Sequence, residues 1–181
     1  MKRITLTLAI IGVCLFSASD ALAQKKKKQD PEEAAQTIAG YKKTDDGMAN
    51  WFNTAYGYAV FPSIGKGAVG VGGASGHGVV YKGGAVTGGV RMNQVSIGFQ
   101  WGGQAFSEVI FFETAEAYNR FVEGKAEFAA QVSAVALTAG VSADAEYRDG
   151  VAVFTQAIGG LMYQASVGGQ KFKFFPPGEM K

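Results

Sequence analysis

The chain has 181 residues, with 17 Lys and Arg against 15 Asp and Glu, so a formal net charge of +2 excludes a global polyanion binder and leaves only local basic surface. One histidine and one cysteine exclude a disulfide framework and the ordinary nitrogen- and sulfur-rich zinc sites. The length suits one domain around one core.

Residues 1–23 read as an export signal. Lys2 and Arg3 form a basic start, Ile4 to Ala18 an apolar run, and Ala21-Leu22-Ala23 a small-x-small cleavage site. About fifteen apolar residues fall short of the roughly 20 that span a bilayer, so cleavage near Ala23 is expected over an uncleaved anchor. Lys25 to Lys28 argue the other way, since positive charge there resists translocation. Cys14 would leave with the signal, and the mature chain would keep 15 basic and 14 acidic residues and no thiol. Residues 24–29 form a lysine-rich arm expected to be disordered.

A helix is predicted next. Asp30 caps it, Pro31 takes the first helical position and Glu33 the capping-box position, with Ala34, Ile38 and Tyr41 on one face. A second short helix spaces Met48, Trp51, Phe52 and Ala55 at i, i+3, i+4 and i+7. That stripe either inserts into a membrane interface or plugs the end of a sheet, and the plug is the favoured reading.

From Tyr58 the period changes to two. Strands are predicted over Tyr58–Phe61, Ala68–Gly73, His77–Lys82, Ala85–Met92, Val95–Gly102 and Glu108–Phe112, with turns at Gly83-Gly84, Met92-Asn93 and Gly72 to Gly76. Fourteen glycines fall between Gly65 and Gly103, where valine and aromatic residues between them mark strand and not linker. Such density fits sharp bends and close backbone approach. Thr114 caps a helix carrying Tyr118, Phe121 and Val122 and ended by Gly124. Further strands are predicted over Phe128–Val141, Val151–Ile158, Leu161–Val167 and Lys171–Phe175, the last with lysines outward and phenylalanines inward. Short links between strands indicate antiparallel pairing. The fold expected is therefore α+β and β-rich: a small curled or closed antiparallel β-barrel with two N-terminal helices and one inserted helix. One domain would occupy residues 30–176, followed by a tail over 177–181.

Catalytic chemistry is hard to find. Gly65-Lys66-Gly67-Ala68-Val69-Gly70 matches a dinucleotide glycine pattern, but the glycines that follow cannot start the helix that must face a pyrophosphate. Ser75 and His77 share a strand face without an acid placed to orient the ring, and the nucleophile-elbow pattern fails at His77. Asp144, Glu146 and Asp149 read as a solvated hairpin, without the spacing of a calcium loop. Glu108 and Glu113 flank an apolar strand and read as edge or surface residues. What remains is basic and aromatic: lysines on the arm and first helix, and Lys66, Lys82 and Arg91 beside glycine turns whose N–H groups can cradle anions.

Several strings carry a resemblance. Ala59-Val60-Phe61-Pro62-Ser63, Lys66-Gly67, Gly70-Val71-Gly72-Gly73 and Ser75-Gly76-His77-Gly78-Val79-Val80 resemble the opening of a SYLF lipid-binding domain. Ser96-Ile97-Gly98-Phe99-Gln100-Trp101-Gly102, Val109–Phe112 before a helix with Phe121, and Thr138-Ala139-Gly140 extend the likeness over roughly residues 36–175. The resemblance implies a non-enzymatic domain that binds membrane lipid, with phosphoinositides as ligands in eukaryotic members and actin bound by some relatives. It implies that an N-terminal amphipathic helix and basic residues meet the bilayer, which by position means the helix with Trp51 and Phe52, and Lys66. The section Tyr81 to Gln94 departs from the pattern, being shorter and lacking a tryptophan–proline-type insertion. An exported copy would meet neither actin nor phosphoinositides. Small periplasmic barrel proteins of envelope integrity look distantly similar.

The expectation is thus an exported, periplasmic, non-enzymatic protein of the cell envelope. Its expected partner is anionic phospholipid or envelope glycolipid, met peripherally, with no nucleic acid, cofactor or metal. The candidate lipid-binding residues are Lys25, Lys26, Lys27, Lys28, Lys42, Lys43, Trp51, Phe52, Lys66, Lys82 and Arg91. Alternatives are an integral outer-membrane β-barrel, a periplasmic scaffold with a protein partner, and an enzyme built on His77.

Overall fold

The computed structural model describes residues 29–69, 71–96, 104–125, 134–159 and 169–180. Helix α1 (Pro31–Thr44) begins where Asp30 accepts a hydrogen bond from the Glu32 N–H at 2.9 Å, and α2 (Met48–Thr54) follows after a short turn. Helix α3 (Ala115–Val122) is capped by Thr114, whose Oγ1 accepts from the Ala117 N–H at 3.2 Å. Helices α1 and α3 begin where their capping residues predict them, and α2 lies where its apolar stripe predicts it, without a side-chain cap.

The strands are β1 (Gly57–Val69), β2 (Val71–Lys82), β3 (Ala85–Ser96), β4 (Gln104–Phe112), β5 (Ala134–Ala136), β6 (Val151–Ile158) and β7 (Gln170–Phe175). They form one seven-stranded mixed sheet in the order β5-β6-β4-β1-β2-β3-β7. The fold is α+β and β-rich, as the sequence indicates. Barrel closure is a correction: among the described residues the sheet is open, with β5 and β7 at its edges. The wholly antiparallel pairing is a second correction, because β5 runs parallel to β6. Residues 137–150 supply the crossover of about a dozen residues that parallel neighbours require.

Strand boundaries shift in an informative way. The glycine-rich block builds two long paired strands, so Gly72, Gly73 and Gly76 lie within β2, paired with Ser96, Val95 and Met92 of β3. The turns expected at Gly72 to Gly76 and at Met92-Asn93 are absent, because a residue with neighbours on both sides is held extended. Gly83 and Gly84 do form a turn, with φ of +56° and +79° that side-chain-bearing residues rarely adopt. The predicted strand Leu161–Val167, most of Val95–Gly102 and the first part of Phe128–Val141 lie outside the described residues.

Alternation divides the core in two. One face of the sheet places Ala59, Phe61, Val80, Val90, Met92, Ile110, Phe112, Val153 and Phe172 against Tyr118 and Phe121 of α3. The other places Tyr58, Val60, Val79, Tyr81, Val109, Phe111 and Phe154 against Tyr41 of α1 and Met48 and Phe52 of α2. The first face is concave, since Phe172 of β7 reaches Phe61 of β1, with ring centroids 6.0 Å apart. A β-bulge helps this curl: β1 shifts register at Phe61-Pro62-Ser63 against both neighbours. Gly78 makes the bulge sterically feasible, because a Cβ there would lie 2.5 Å from the Val60 carbonyl oxygen and 2.8 Å from the Phe61 ring. The Phe-Pro-Ser string and the glycine of Ser75-Gly76-His77-Gly78 are thus one structural device.

Candidate functional site

Among the described residues, helices α1 and α2 cover the convex face over β6, β4, β1 and part of β2, and on β3 Gln29 lies against Gly89. Outward residues on the uncovered part must therefore be polar. Register aligns them in two rows across three strands: His77, Arg91 and Lys173 in one, Ser75, Asn93 and Lys171 in the other. Arg91, Lys171 and Lys173 are exposed and His77 is half-buried. Strands β2, β3 and β7 contain no Asp or Glu. Among the described residues the one ion pair joins Lys125 to Glu123, on either side of Gly124. Arg91 and Lys173 are direct cross-strand partners, an arrangement that like charges disfavour. A bound anion would relieve that repulsion.

The sequence-predicted basic residues separate into two groups. Arg91 joins Lys171 and Lys173 on the convex face. Lys82 lies at the end of the sheet marked by the Gly83-Gly84 turn, and Lys42 and Lys43 lie in the last turn of α1; Lys43 and Lys82 are exposed. Lys82 Nζ sits 4.9 Å from the Tyr56 ring centroid and 5.8 Å from that of Tyr118, and Lys42 Nζ lies 5.3 Å from that of Phe52. Hydrogen bonding to Tyr56 raises the Lys82 pKa, so this end stays cationic. Lys66 lies in β1 opposite Ala74 and Gln104. Lys25, Lys26, Lys27 and Lys28 lie outside the described residues.

Trp51 and Phe52 are taken up by the core. Phe52 is buried against Tyr58 and Phe111 at centroid distances of 5.1 and 4.9 Å. Trp51 packs on Phe111, Tyr147 and Phe154 and donates through Nε1 to the Ser142 carbonyl at 3.1 Å. The α2 stripe thus packs on the convex face of the sheet, where an end plug was the expectation. Among the described residues no helix is long and apolar enough to cross a membrane.

Lys171 and Lys173 point outward as their alternation predicts, and register sets them opposite Asn93 and Arg91. Glu108 is no edge residue but wholly buried, on the concave side with Ile110 and Phe112; Glu113 is exposed as expected. Its i, i+2, i+4 spacing to Ile110 and Phe112 is the signal that locates it inside. Asp144, Glu146 and Asp149 are exposed, and Asp149 and Gly150 turn the chain with φ of +52° and +73°.

A groove of about 420 Å³ runs between α1 and the sheet, with Gln36, Thr37, Ser63, Ser107 and Gln156 among its lining residues. Its rim includes Glu33, so it offers an anion nothing comparable to the convex rows. No model of a known protein family matches the chain, and comparison with curated proteins returns no relative.

Proposed function

We propose that this protein is an exported, non-enzymatic envelope module of SYLF-like type that binds anionic lipid peripherally through the convex face of β2, β3 and β7. The observation that carries the reading is the acid-free arrangement of Arg91, Lys171 and Lys173, with Arg91 and Lys173 directly opposed. Neighbouring strands lie about 4.8 Å apart and alternate residues about 6.8 Å apart along a strand, a spacing at which several cations reach one phosphate headgroup. Each lysine or arginine near an anionic surface contributes on the order of 1 kcal/mol, so three cations favour binding without any inserted helix. Lys42, Lys43 and Lys82 supply a second contact, and the basic arm Lys25 to Lys28 would add to either.

Co-sedimentation with vesicles of phosphatidylcholine, with and without phosphatidylglycerol or cardiolipin, tests the reading. Binding that requires the anionic lipid and weakens from 50 to 500 mM salt is expected. Equal partition into neutral vesicles, or no binding at low salt, would reject it.

A further inference from the structure

The crossover 137–150 forms a cleft with α2 that encloses about 360 Å³. One wall is a single helical face: Gly47, Asn50, Trp51 and Thr54 follow one another at i, i+3, i+4 and i+7. Ser142, Ala143 and Tyr147 belong to the other wall. No Lys, Arg, Asp or Glu lines this cleft, whereas the groove beside α1 carries Glu33 and a smaller hollow beside β5 and β6 carries Asp144, Glu146 and Arg148.

The walls are tied to each other without any ligand. Asp45 accepts from the Gly47 N–H at 2.9 Å and from the Ser142 N–H at 2.8 Å, one in each wall. Trp51 Nε1 adds a third tie, to the Ser142 carbonyl at 3.1 Å. A Cβ at Gly47 would collide with Ser142 Oγ, so the glycine sets how closely the walls approach. Walls fixed in this way spare the ordering cost of binding.

Trp51 is wedged against Phe111 and Phe154, with the Tyr147 ring centroid 4.8 Å from its own. It still lines the cleft and stays partly exposed, whereas Phe52, one position on, is buried. Such a ring is apolar and carries a negative π face, which attracts the weakly positive C–H groups of a saturated ring. Polar groups stand on the same helical face. Asn50 is exposed, and its amide offers two donors and an acceptor. Thr54 Oγ1 donates to the Asn50 carbonyl at 2.8 Å and keeps its lone pairs for an incoming hydroxyl.

We infer that this cleft binds a neutral saccharide, with one sugar ring on Trp51 beside Tyr147 and its hydroxyls hydrogen-bonded to Asn50 and Thr54. A pyranose presents C–H groups on its face and hydroxyls around its rim, which matches aromatic surface beside an amide and a hydroxyl. An ion would find no counter-charge in the lining, and a wholly apolar ligand would strip water from Asn50 and Thr54 without replacing it. The volume falls at the small end of the roughly 300–1,000 Å³ of small-molecule sites. Arg91, Lys171 and Lys173 take no part in the lining, so this site does not rest on the lipid reading.

The test titrates the purified protein with glucose, maltose, cellobiose, mannobiose, lactose and chitobiose, and with glucuronate, by calorimetry and heteronuclear NMR. Saturable binding of at least one neutral sugar at millimolar concentration or below is expected, with shifts in the Trp51 indole and Asn50 amide signals. Asn50→Ala should weaken it about three- to ten-fold through one lost hydrogen bond. Ala143→Arg, which fills the cleft, should abolish it. Both positions are exposed, so an unchanged Tm is expected in each variant. Asn119→Ala, the same change at an exposed position of α3, should leave binding as it was. No saturable binding of any of these sugars would overturn the site. Binding that survives both Asn50→Ala and Ala143→Arg would overturn it equally, as would glucuronate binding more tightly than glucose, which would place the ligand on basic surface.

Discussion

Gln170 on β7 donates to Glu108 on β4 at 3.0 Å, although three strands stand between them in the sheet. Four strand spacings of about 4.8 Å would separate them by roughly 19 Å in a flat sheet. The hydrogen bond therefore measures the curl, and the Phe61–Phe172 ring contact is its apolar counterpart. Rolling the sheet this far buries both partners and brings β7 onto the concave core while both edges stay open. It also leaves Arg91, Lys171 and Lys173 exposed on the convex side, beyond the part that α1 and α2 cover.

The bulge that feeds this curl depends on Gly78. Alanine at that position would press its methyl group against the Val60 carbonyl and the Phe61 ring, and both are fixed by the core. Overpacking of that kind costs about 1–3 kcal/mol. Gly78→Ala is expected to lower the urea midpoint accordingly, and Gly83→Ala, which meets no neighbour but must keep a positive φ, should cost less. Equal loss in both variants would refute the steric account.

Tyr41 should make stability fall at alkaline pH. Its hydroxyl donates to the Ser107 carbonyl at 3.0 Å with Phe154 O at 3.3 Å as a second acceptor, and burial drives its pKa far above 10. Above pH 10 the unfolded chain releases a proton that the folded protein keeps, so stability drops by about 1.4 kcal/mol per pH unit from this group. Tyr41→Phe should cost about 1–2 kcal/mol at pH 8 through the lost hydrogen bond. The gap between the two proteins should then close as pH rises from 10 to 11 in chemical denaturation. A constant gap would show that Tyr41 is not the titrating group.

Helices were legible because their signals are local: Asp30, Pro31 and Thr114 announce starts without reference to the rest of the chain. Strand faces were legible from alternation, as in Lys171–Phe175. Closure was not, since alternation states which side a residue faces and not whether the last strand meets the first. The site was legible in part. Arg91 could be named, but its pairing with Lys173 depends on a register between segments far apart in sequence. Glu108 was misread because an acid at the start of an apolar run resembles a strand end, whereas the strand actually begins at Gln104.

Asp45 should weaken the fold at acidic pH. Burial opposes its charge, but hydrogen bonds from Ser142, Gly47 and Gly140 outweigh that and hold its carboxyl below the usual range. Oδ1 accepts from the Gly47 N–H at 2.9 Å and Oδ2 from the Ser142 N–H at 2.8 Å, tying the α1–α2 turn to the segment after β5. Between the folded and unfolded pKa the unfolded chain binds more protons, so this contribution is complete above about pH 4 and is lost as pH falls through the folded value. Asp45→Asn turns an N–H donor toward the Ser142 N–H and should cost about 1–2 kcal/mol at pH 7. Its deficit relative to the unaltered protein should vanish in unfolding curves taken near pH 2; a deficit that persists there would assign the loss to packing.

Lys173→Glu separates stability from binding on the convex face. The new carboxylate would stand directly opposite Arg91 and replace repulsion by attraction, for a gain of about 0.2–1 kcal/mol. The same change removes one cation and adds an anion where a lipid headgroup would sit. At about 1 kcal/mol per charge, vesicle affinity should fall by roughly 30-fold on phosphatidylglycerol and stay unchanged on phosphatidylcholine. Lys173→Gln should lose about half of that in free energy, and both variants should bind with a shallower dependence on salt. A more stable protein that binds anionic vesicles as well as before would mean that the rows of Arg91, Lys171 and Lys173 are only solvated surface, and that lipid contact lies at the Lys42 and Lys82 end.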